Sequence, residues 1–352
     1  SLSQLQRALV IGSNLRKDHP LFAQRVRQSV RKGGTLNVIT SPHLLADADA
    51  WAMPIANAVR VPADQWLDAL AELASAIAAS TGAAAPVARD AAPGDAAKAM
   101  AASLLGGERK AILLGNAAAH HANAGSLLAL AHWIGAQTGA SVGYLTEAAN
   151  TVGAQLVGAL PKDGGLDAGR MLAGGLKAAL LLNTEPVFDS AAGAAAVEGL
   201  AHAQMVVTLS PFKANLDFSD VLLPIAPFTE TPGTFVNAEG RVQGFHAVVK
   251  PLGETRPAWK VLRVLANLLG LPGFAFESSA DVLAGLDLPS PLPAERLSNA
   301  TGAAVVAASA AQAAPVVASI YQLDSLVRRA PSLQLTTDGR QAHASAAQEV
   351  AA

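Results

Sequence analysis

Cysteine is absent from all 352 residues. The chain therefore forms no disulfide, ligates no iron–sulfur cluster through thiolates and carries no thiol nucleophile. Charge is scarce too: Asp, Glu, Lys and Arg make up 15% of the residues, against a usual share of about 25%. A formal net charge of −2 gives no electrostatic case for nucleic acid or for a polybasic membrane patch. Two long spans, 111–146 and 297–323, hold no Asp, Glu, Lys or Arg. Neither reads as membrane-spanning, because a spanning helix needs about 20 strongly apolar residues. The first span is interrupted by Asn116, His120, His121, Asn123, His132 and Gln137, and the second is mostly Ala around Pro315. The expectation is a chain with no direct membrane insertion and no nucleic-acid partner.

The usual small-molecule motifs are also missing. No G-x-G-x-x-G follows a strand, no P-loop or H-E-x-x-H occurs, and no serine nucleophile elbow is read. Gly12 and Gly115 lie at strand exits and read as tight-turn residues, with a bound nucleotide as the weaker alternative. His120 and His121 are adjacent and so point apart, with no Asp, Glu or Cys at ligand spacing. Asp217 and Asp220 read as caps rather than as paired catalytic carboxylates. Lys213 and Arg241 read as surface charges ahead of phosphate ligands, and His19 as part of a helix start.

What is present is an alternation of strands with helices, the pattern of a parallel sheet covered by helices. Strands are expected at Ala8–Ile11, Leu36–Thr40, 59–61, 111–114, Leu176–Leu182, Met205–Leu209 and Val221–Ile225. Helices are expected at Pro20–Arg31 with Leu21, Phe22, Val26 and Val30 on one face, and after a capping Asp64 with Leu67, Leu70, Ala74 and Ile77 inward. Others are expected near 96–105, 125–137, 190–201 and 321–329, and from Pro257 to Gly270 around Trp259, Leu262, Leu265 and Leu269. The fold class is α/β: two Rossmann-like three-layer units with mainly parallel sheets. The first unit is 1–95, ending in an Ala/Pro/Gly run (81–95) that reads as a linker or insertion. The second is 96–275, and 276–352 is a low-complexity tail.

The densest polar stretch of this charge-poor chain is the loop 226–243 that follows the strand at Val221. Pro224 within that apolar run places the strand at a sheet edge. Glu230, Gly233, Thr234, Asn237, Glu239, Gly240, Arg241 and Gln243 then arrive together. A Gly- and Pro-rich polar loop leaving a strand is where an open α/β sheet commonly meets a ligand or partner. Physics alone leaves open a self-satisfied surface loop with a local Glu–Arg pair.

These same residues resemble the E-x-x-GT-x-x-N-x-EGR-x-Q signature of the molybdopterin oxidoreductase superfamily, with Pro251, Gly253 and Trp259 fitting its continuation. Within it, VIGSNLRKDHP (10–20), LLLNTEPVFD (180–189), VVTLSPFKANLDFSDVLLP (206–224) and YQLDSLVRRAPSLQLT (321–336) resemble the large iron–sulfur subunits (G subunits) of bacterial respiratory complex I, NADH:quinone oxidoreductase. The resemblance covers most of the chain from Ala8 to Thr336.

The resemblance implies a non-catalytic scaffold with a vestigial pocket loop, partnered by the other subunits of the peripheral arm on the cytoplasmic side of the bacterial inner membrane. It implies no catalytic, cofactor-binding or metal-binding residue in this segment. Iron–sulfur clusters would belong to an N-terminal part preceding Ser1, and a further domain would follow the tail. Glu230, Asn237, Glu239 and Arg241 are expected to fix the loop as a polar cluster, and Trp259 to be largely buried. The alternative is the middle of a true molybdopterin enzyme of the formate dehydrogenase kind. Its metal would be held by Cys, selenocysteine or Ser elsewhere, and Asn237–Arg241 would shape the pterin pocket. A stand-alone nucleotide-binding protein is the third reading, disfavoured by the absent glycine fingerprint.

Overall fold

The computed structural model describes residues 2–42, 44–45, 51–286, 288–289, 291–305 and 318–340. The chain divides into two compact units, one running to Glu147 and rejoined from Ser298 onward, the other spanning Ala148–Leu297.

The first unit is built from β1 (Arg7–Ile11), α1 (Pro20–Arg31), β2 (Thr35–Thr40), β3 (Asn57–Arg60), α2 (Trp66–Thr81), α3 (Asp95–Leu105), β4 (Lys110–Leu114), α4 (Ala124–Thr138) and β5 (Ser141–Tyr144). Its five strands are all parallel, in the order β3-β2-β1-β4-β5. Strand periodicity sorts the side chains into two layers. Leu9, Ile11, Ile112 and Leu114 join the cluster formed with α2, α3 and α4, while Ala8, Val10, Ala111 and Leu113 join Ala23 and Val26 of α1 on the opposite face. Near-continuous apolar runs such as Ala8–Ile11 are what a parallel strand covered on both faces requires.

Several expectations need correction here. Leu21 is not on the inward face of α1 but 74% exposed, because the buried stripe runs through Ala23 and Val26. Asp64 does not cap α2; a 3-10 turn, Ala63–Gln65, leads into the helix and no side chain caps its start. The inward positions Leu67, Leu70, Ala74 and Ile77 are buried as their spacing predicts. The run after α2 is fastened along that helix: Arg89 pairs with Asp68, and Gly94 N donates to Glu72 Oε1 at 2.7 Å. Beyond it, β4 hydrogen-bonds to β1 and β5 and not to the strands expected at 176–225. β5 was not anticipated. Gly139–Gly143 does have G-x-S-x-G spacing, yet it runs from helix into strand, the reverse of a nucleophile elbow, and Ser141 merely opens β5.

The second unit holds β6 (Ala178–Leu182), α5 (Ala195–Ala201), β7 (Met205–Ser210), β8 (Val221–Pro224), β9 (Gly233–Val236), β10 (Val242–Phe245), α6 (Ala258–Leu268) and α7 (Ser279–Ala284). β6, β7 and β8 form a parallel sheet in that order. Ala179, Leu181 and Val206 pack against Leu200 of α5, whereas Leu180, Leu182 and Met205 on the other face are 44–48% exposed. Asp220, expected to cap a helix or turn, instead ties two strands: its Oδ2 accepts from Val206 N at 2.7 Å where β7 begins. The helix expected at 190–201 is shorter, preceded by a separate turn at Pro186–Asp189. The one expected at 321–329 is a helical turn, Ile320–Leu323, followed by a 3-10 turn, Val327–Arg329.

β8 is an edge strand, with Pro224 at its end as its missing N–H demands. It is not buried as the apolar run suggests: Val221 is 39% exposed, and burial begins only at Ile225 and Ala226. The Ala-rich stretch beyond 305 and the tail beyond 340 lie outside the described residues. Among the described residues no helix is long and apolar enough to cross a membrane.

Candidate functional site

The loop that leaves β8 folds into an antiparallel hairpin, β9 paired with β10 in the register Val236↔Val242 to Gly233↔Phe245. The sequence anticipates an extended path at Val242 and Phe245 but not the pairing. Asn237 organises the turn. Its Oδ1 accepts from Glu239 N at 3.0 Å and Arg241 N at 2.9 Å, its carbonyl accepts from Gly240 N, and its own N–H donates to the Arg241 carbonyl. Gly240 adopts φ +78°, a left-handed conformation that glycine takes at little cost. The N-x-E-G-R spacing is thus, locally, the chemistry of an Asx turn closed by a left-handed glycine.

The remaining loop residues have separate roles. Glu230 Oε2 accepts from Leu252 N at 3.0 Å, which fastens the segment after the hairpin to the one before it. Thr231 Oγ1 donates to the carbonyls of Ala226 and Pro227. A Cβ on Gly233 would lie 2.7 Å from Phe245 Cζ, so the glycine admits the Phe245 ring, which stands edge-on to Phe235 at 4.8 Å. Thr234 pairs opposite Gly244 and Gln243 opposite Phe235. Buried Val236 donates its N–H to Asn150 Oδ1 at 2.8 Å, tying the hairpin to the start of the 151–156 helix.

The expected four-residue polar cluster does not form. Glu239, Arg241 and Gln243 have exposed side chains, and no ion pair joins Glu239 to Arg241 among the described residues. Glu230 reaches a different segment. The physical reason is the turn itself, which uses the amide of Asn237 and the backbones of its neighbours and leaves their charged ends in water. Beside the hairpin, Glu230 and Pro232 line a cavity of about 550 Å³ together with Trp259. Trp259 is covered over most of its surface, its Nε1 out of solvent, although it falls short of full burial; of α6 only Ala266 is fully buried.

A second group of polar residues gathers in the first unit, at the carboxyl ends of β1, β4 and β5, where the strand order reverses. His120 Nε2 lies 2.8 Å from Glu147 Oε2. His19 Nε2 donates to the Thr146 carbonyl at 3.0 Å, and Asp18 Oδ2 accepts from Asn14 N at 2.9 Å. His121 points the other way, as adjacency requires: its Nε2 donates to the Ala63 carbonyl and its ring stacks on Trp66. Sequence reading missed Glu147, the first charged residue after the charge-free span 111–146, because the partner lies 27 positions from His120. Among the described residues no three His, Asp or Glu groups are placed to hold a metal ion.

The hydrogen bond to Glu147 raises the His120 pKa above its usual 6.5, and the same bond lowers that of Glu147 below its usual 4.5. Burial raises the pKa of Asp18. The raised His120 contributes stability that is complete below 6.5 and lost as pH climbs through its folded value. The lowered Glu147 contributes stability that is complete above 4.5 and lost as pH falls through its folded value. The pair therefore stabilises most between these two limits, by no more than about 1 kcal/mol because both groups are nearly half exposed. The thermal midpoint of His120→Gln should fall below wild type most clearly near pH 5.5, with the gap closing by pH 9. A gap that stays constant with pH would remove the ion pair from the account.

The exit turns at this sheet end are closed by the chain itself. Gly12 has φ +59°, and a Cβ there would lie 2.7 Å from the Trp66 ring and 2.8 Å from Ala118 N. A Cβ on Gly115 would lie 2.3 Å from Ser13 Cβ and 2.6 Å from the Gly12 carbonyl. Both glycines are needed for protein-to-protein packing.

Comparison with known proteins matches residues 7–268 to the family described as molybdopterin oxidoreductase. The chain is 43% identical over 67 residues to "Probable oxidoreductase YjgC" of Bacillus subtilis (strain 168), a stretch covering 19% of this chain and 7% of that one. It is 49% identical over 53 residues to "Putative formate dehydrogenase SAB2186c" of Staphylococcus aureus (strain bovine RF122 / ET3-1), covering 15% of this chain and 5% of that one. The matched stretches thus span a small fraction of these relatives' length.

Proposed function

The chain belongs to the molybdopterin oxidoreductase family, and from that premise we propose that it is a non-catalytic scaffold region, serving the large iron–sulfur subunit of a bacterial NADH:quinone oxidoreductase. The observation that carries this reading is the use made of the signature loop. Asn237 spends its side-chain oxygen on two backbone N–H groups of its own turn, and Glu230 accepts from Leu252 N. Two of the loop's side-chain acceptors therefore hold the protein's own backbone, while the Glu239 carboxylate stays in solvent. The segments at 10–20, 180–189, 206–224 and 321–336 favour the complex I assignment over the rest of the family. On this reading the chain holds no cofactor, its partners are the neighbouring peripheral-arm subunits, and electrons pass through clusters carried outside it.

A second reading has an observation of its own: the relatives include proteins named as formate dehydrogenases. Here the chain would be part of a catalytic subunit, and the exposed Glu239 and Arg241 would face a pterin held mainly by other segments. Asn237→Ala in the full-length protein separates the two. The variant frees two backbone N–H groups from their acceptor, a loss of about 1–2 kcal/mol. The scaffold reading expects less assembled complex with unchanged NADH-dependent turnover per assembled complex, and no molybdenum in the purified full-length protein. Normal assembly with turnover reduced a hundredfold, about 2.7 kcal/mol of barrier, or stoichiometric molybdenum would transfer the assignment to the second reading.

A further inference from the structure

The cavity beside the hairpin is electrically unbalanced. Three cations, Lys250, Arg256 and Lys260, and two carboxylates, Glu230 and Glu277, stand on its wall. Glu230 accepts from Leu252 N, and Glu277, 85% exposed, forms a loose surface pair with Arg263, whose Nη1 lies 3.6 Å from its Oε1. None of the three cations meets a carboxylate among the described residues. Arg256 donates only to the Thr255 carbonyl, and Lys260 lies over the Trp259 ring at 5.4 Å. The apolar part of the wall is Trp259 with Pro232, Ala247, Pro251 and Pro257, and Ser278 and Ser279 complete it. The cavity is an open depression of about 550 Å³ rather than an enclosed pocket.

The apolar surface does not stop at the rim. Phe228, Val248 and Leu252, next or near in sequence to residues of the wall, are 65%, 82% and 79% exposed. Large apolar side chains at such exposure, grouped around a cavity, mark an interaction site more often than ordinary surface. A small molecule filling the cavity would leave this rim in water. A peptide segment would cover both.

We propose that this cavity and its rim dock an acidic segment of a partner protein, one that inserts an aromatic or aliphatic side chain against Trp259 and sets carboxylates against Lys250, Arg256 and Lys260. The assignment deepens the scaffold reading and rests on it for the kind of partner. Its electrostatic part follows from complementarity: an acidic segment meets three cations without a carboxylate partner among the described residues, whereas a basic one meets two carboxylates, one holding Leu252 N and one beside Arg263.

The test uses the 352-residue chain and a short fluorescein-labelled peptide of glutamates interspersed with leucine and one phenylalanine, followed by fluorescence anisotropy. A matched peptide with lysine in place of glutamate is the control, and 2-naphthoate is the competing small anion. Saturable binding of the acidic peptide is expected, at least tenfold tighter than the basic one and weakened by added salt. The double variant Lys250→Glu, Lys260→Glu should weaken it at least tenfold while leaving the unfolding midpoint near wild type, since both side chains are exposed. Equal binding of the two peptides, binding indifferent to the double variant, or no saturable binding would overturn the proposal. Naphthoate binding that depends on the two lysines, without peptide binding, would also overturn it in favour of a small-molecule site. None of these outcomes depends on assembly of a complex, so failure here is distinguishable from failure of the scaffold reading.

Discussion

Trp66→Ala should lower the stability of the first unit by about 3–5 kcal/mol, the usual range for truncating a core Trp. Trp66 is fully buried, joins the cluster between α2 and the central strands, donates from Nε1 to the Val61 carbonyl at 3.3 Å and stacks on His121. Its removal opens a void beneath Gly12, whose backbone approaches the indole closely. Two compact units need not unfold together, so the loss is best read locally, from hydrogen exchange at the amides of β1 and β4. Trp259→Ala provides the contrast. Its ring is incompletely buried on a helix with one fully buried residue, so it should cost less than Trp66→Ala. A loss below about 1 kcal/mol at Trp66 would mean that α2 does not cover the sheet as described.

The second large effect is expected from a single methyl group. In Gly115→Ala the new Cβ would fall 2.3 Å from Ser13 Cβ and 2.6 Å from the Gly12 carbonyl, atoms held by adjacent parallel strands and unable to swing aside. Overpacking usually costs about 1–3 kcal/mol, and contacts this short with backbone place the substitution at or above the upper end. Gly143→Ala is the control: a Cβ there meets nothing within 4 Å, and its effect should stay within about 0.5 kcal/mol. Urea unfolding of the two variants side by side decides the matter. Equal stabilities would mean that the exit turns of β1 and β4 are not in contact.

Most elements were legible because their signals are local. The run at 8–11 and the helix opened by Pro20 and closed before Gly33-Gly34 are nearly where periodicity puts them. What escaped was pairing. Nothing within Lys110–Leu114 states that β1 is its neighbour, since that choice depends on how α2 and α3 fold back over the sheet. β5, with Gly143 at its third position, has too little β-branched content to declare itself. At the candidate site, Gly240 and Asn237 could be read as turn chemistry. The fates of Glu239 and Arg241 could not, because two opposite charges close in sequence do not meet when the turn between them directs both side chains into solvent. Leu269, placed in the inward stripe of α6 yet 67% exposed, was misjudged for a related reason. The spacing of α6 gives an inward stripe but says nothing of how much protein lies beneath it.

Pro224 carries a consequence beyond marking where β8 ends. The outer side of an edge strand can template another copy of itself, growing sheet upon sheet in the manner of amyloid. That hazard is real in this unit, where Leu180, Leu182 and Met205 already leave one face of the sheet partly uncovered. Pro224 brings no N–H to the open edge, and the chain turns away immediately afterwards, with Ala226 N donating to the Arg256 carbonyl. An incoming strand therefore finds neither a continuous row of donors nor a straight edge to extend. The residue that interrupts the apolar run so awkwardly in the sequence leaves, in the folded chain, a gap in the donor row of an edge strand, beside the point where Ile225 bridges to Arg256.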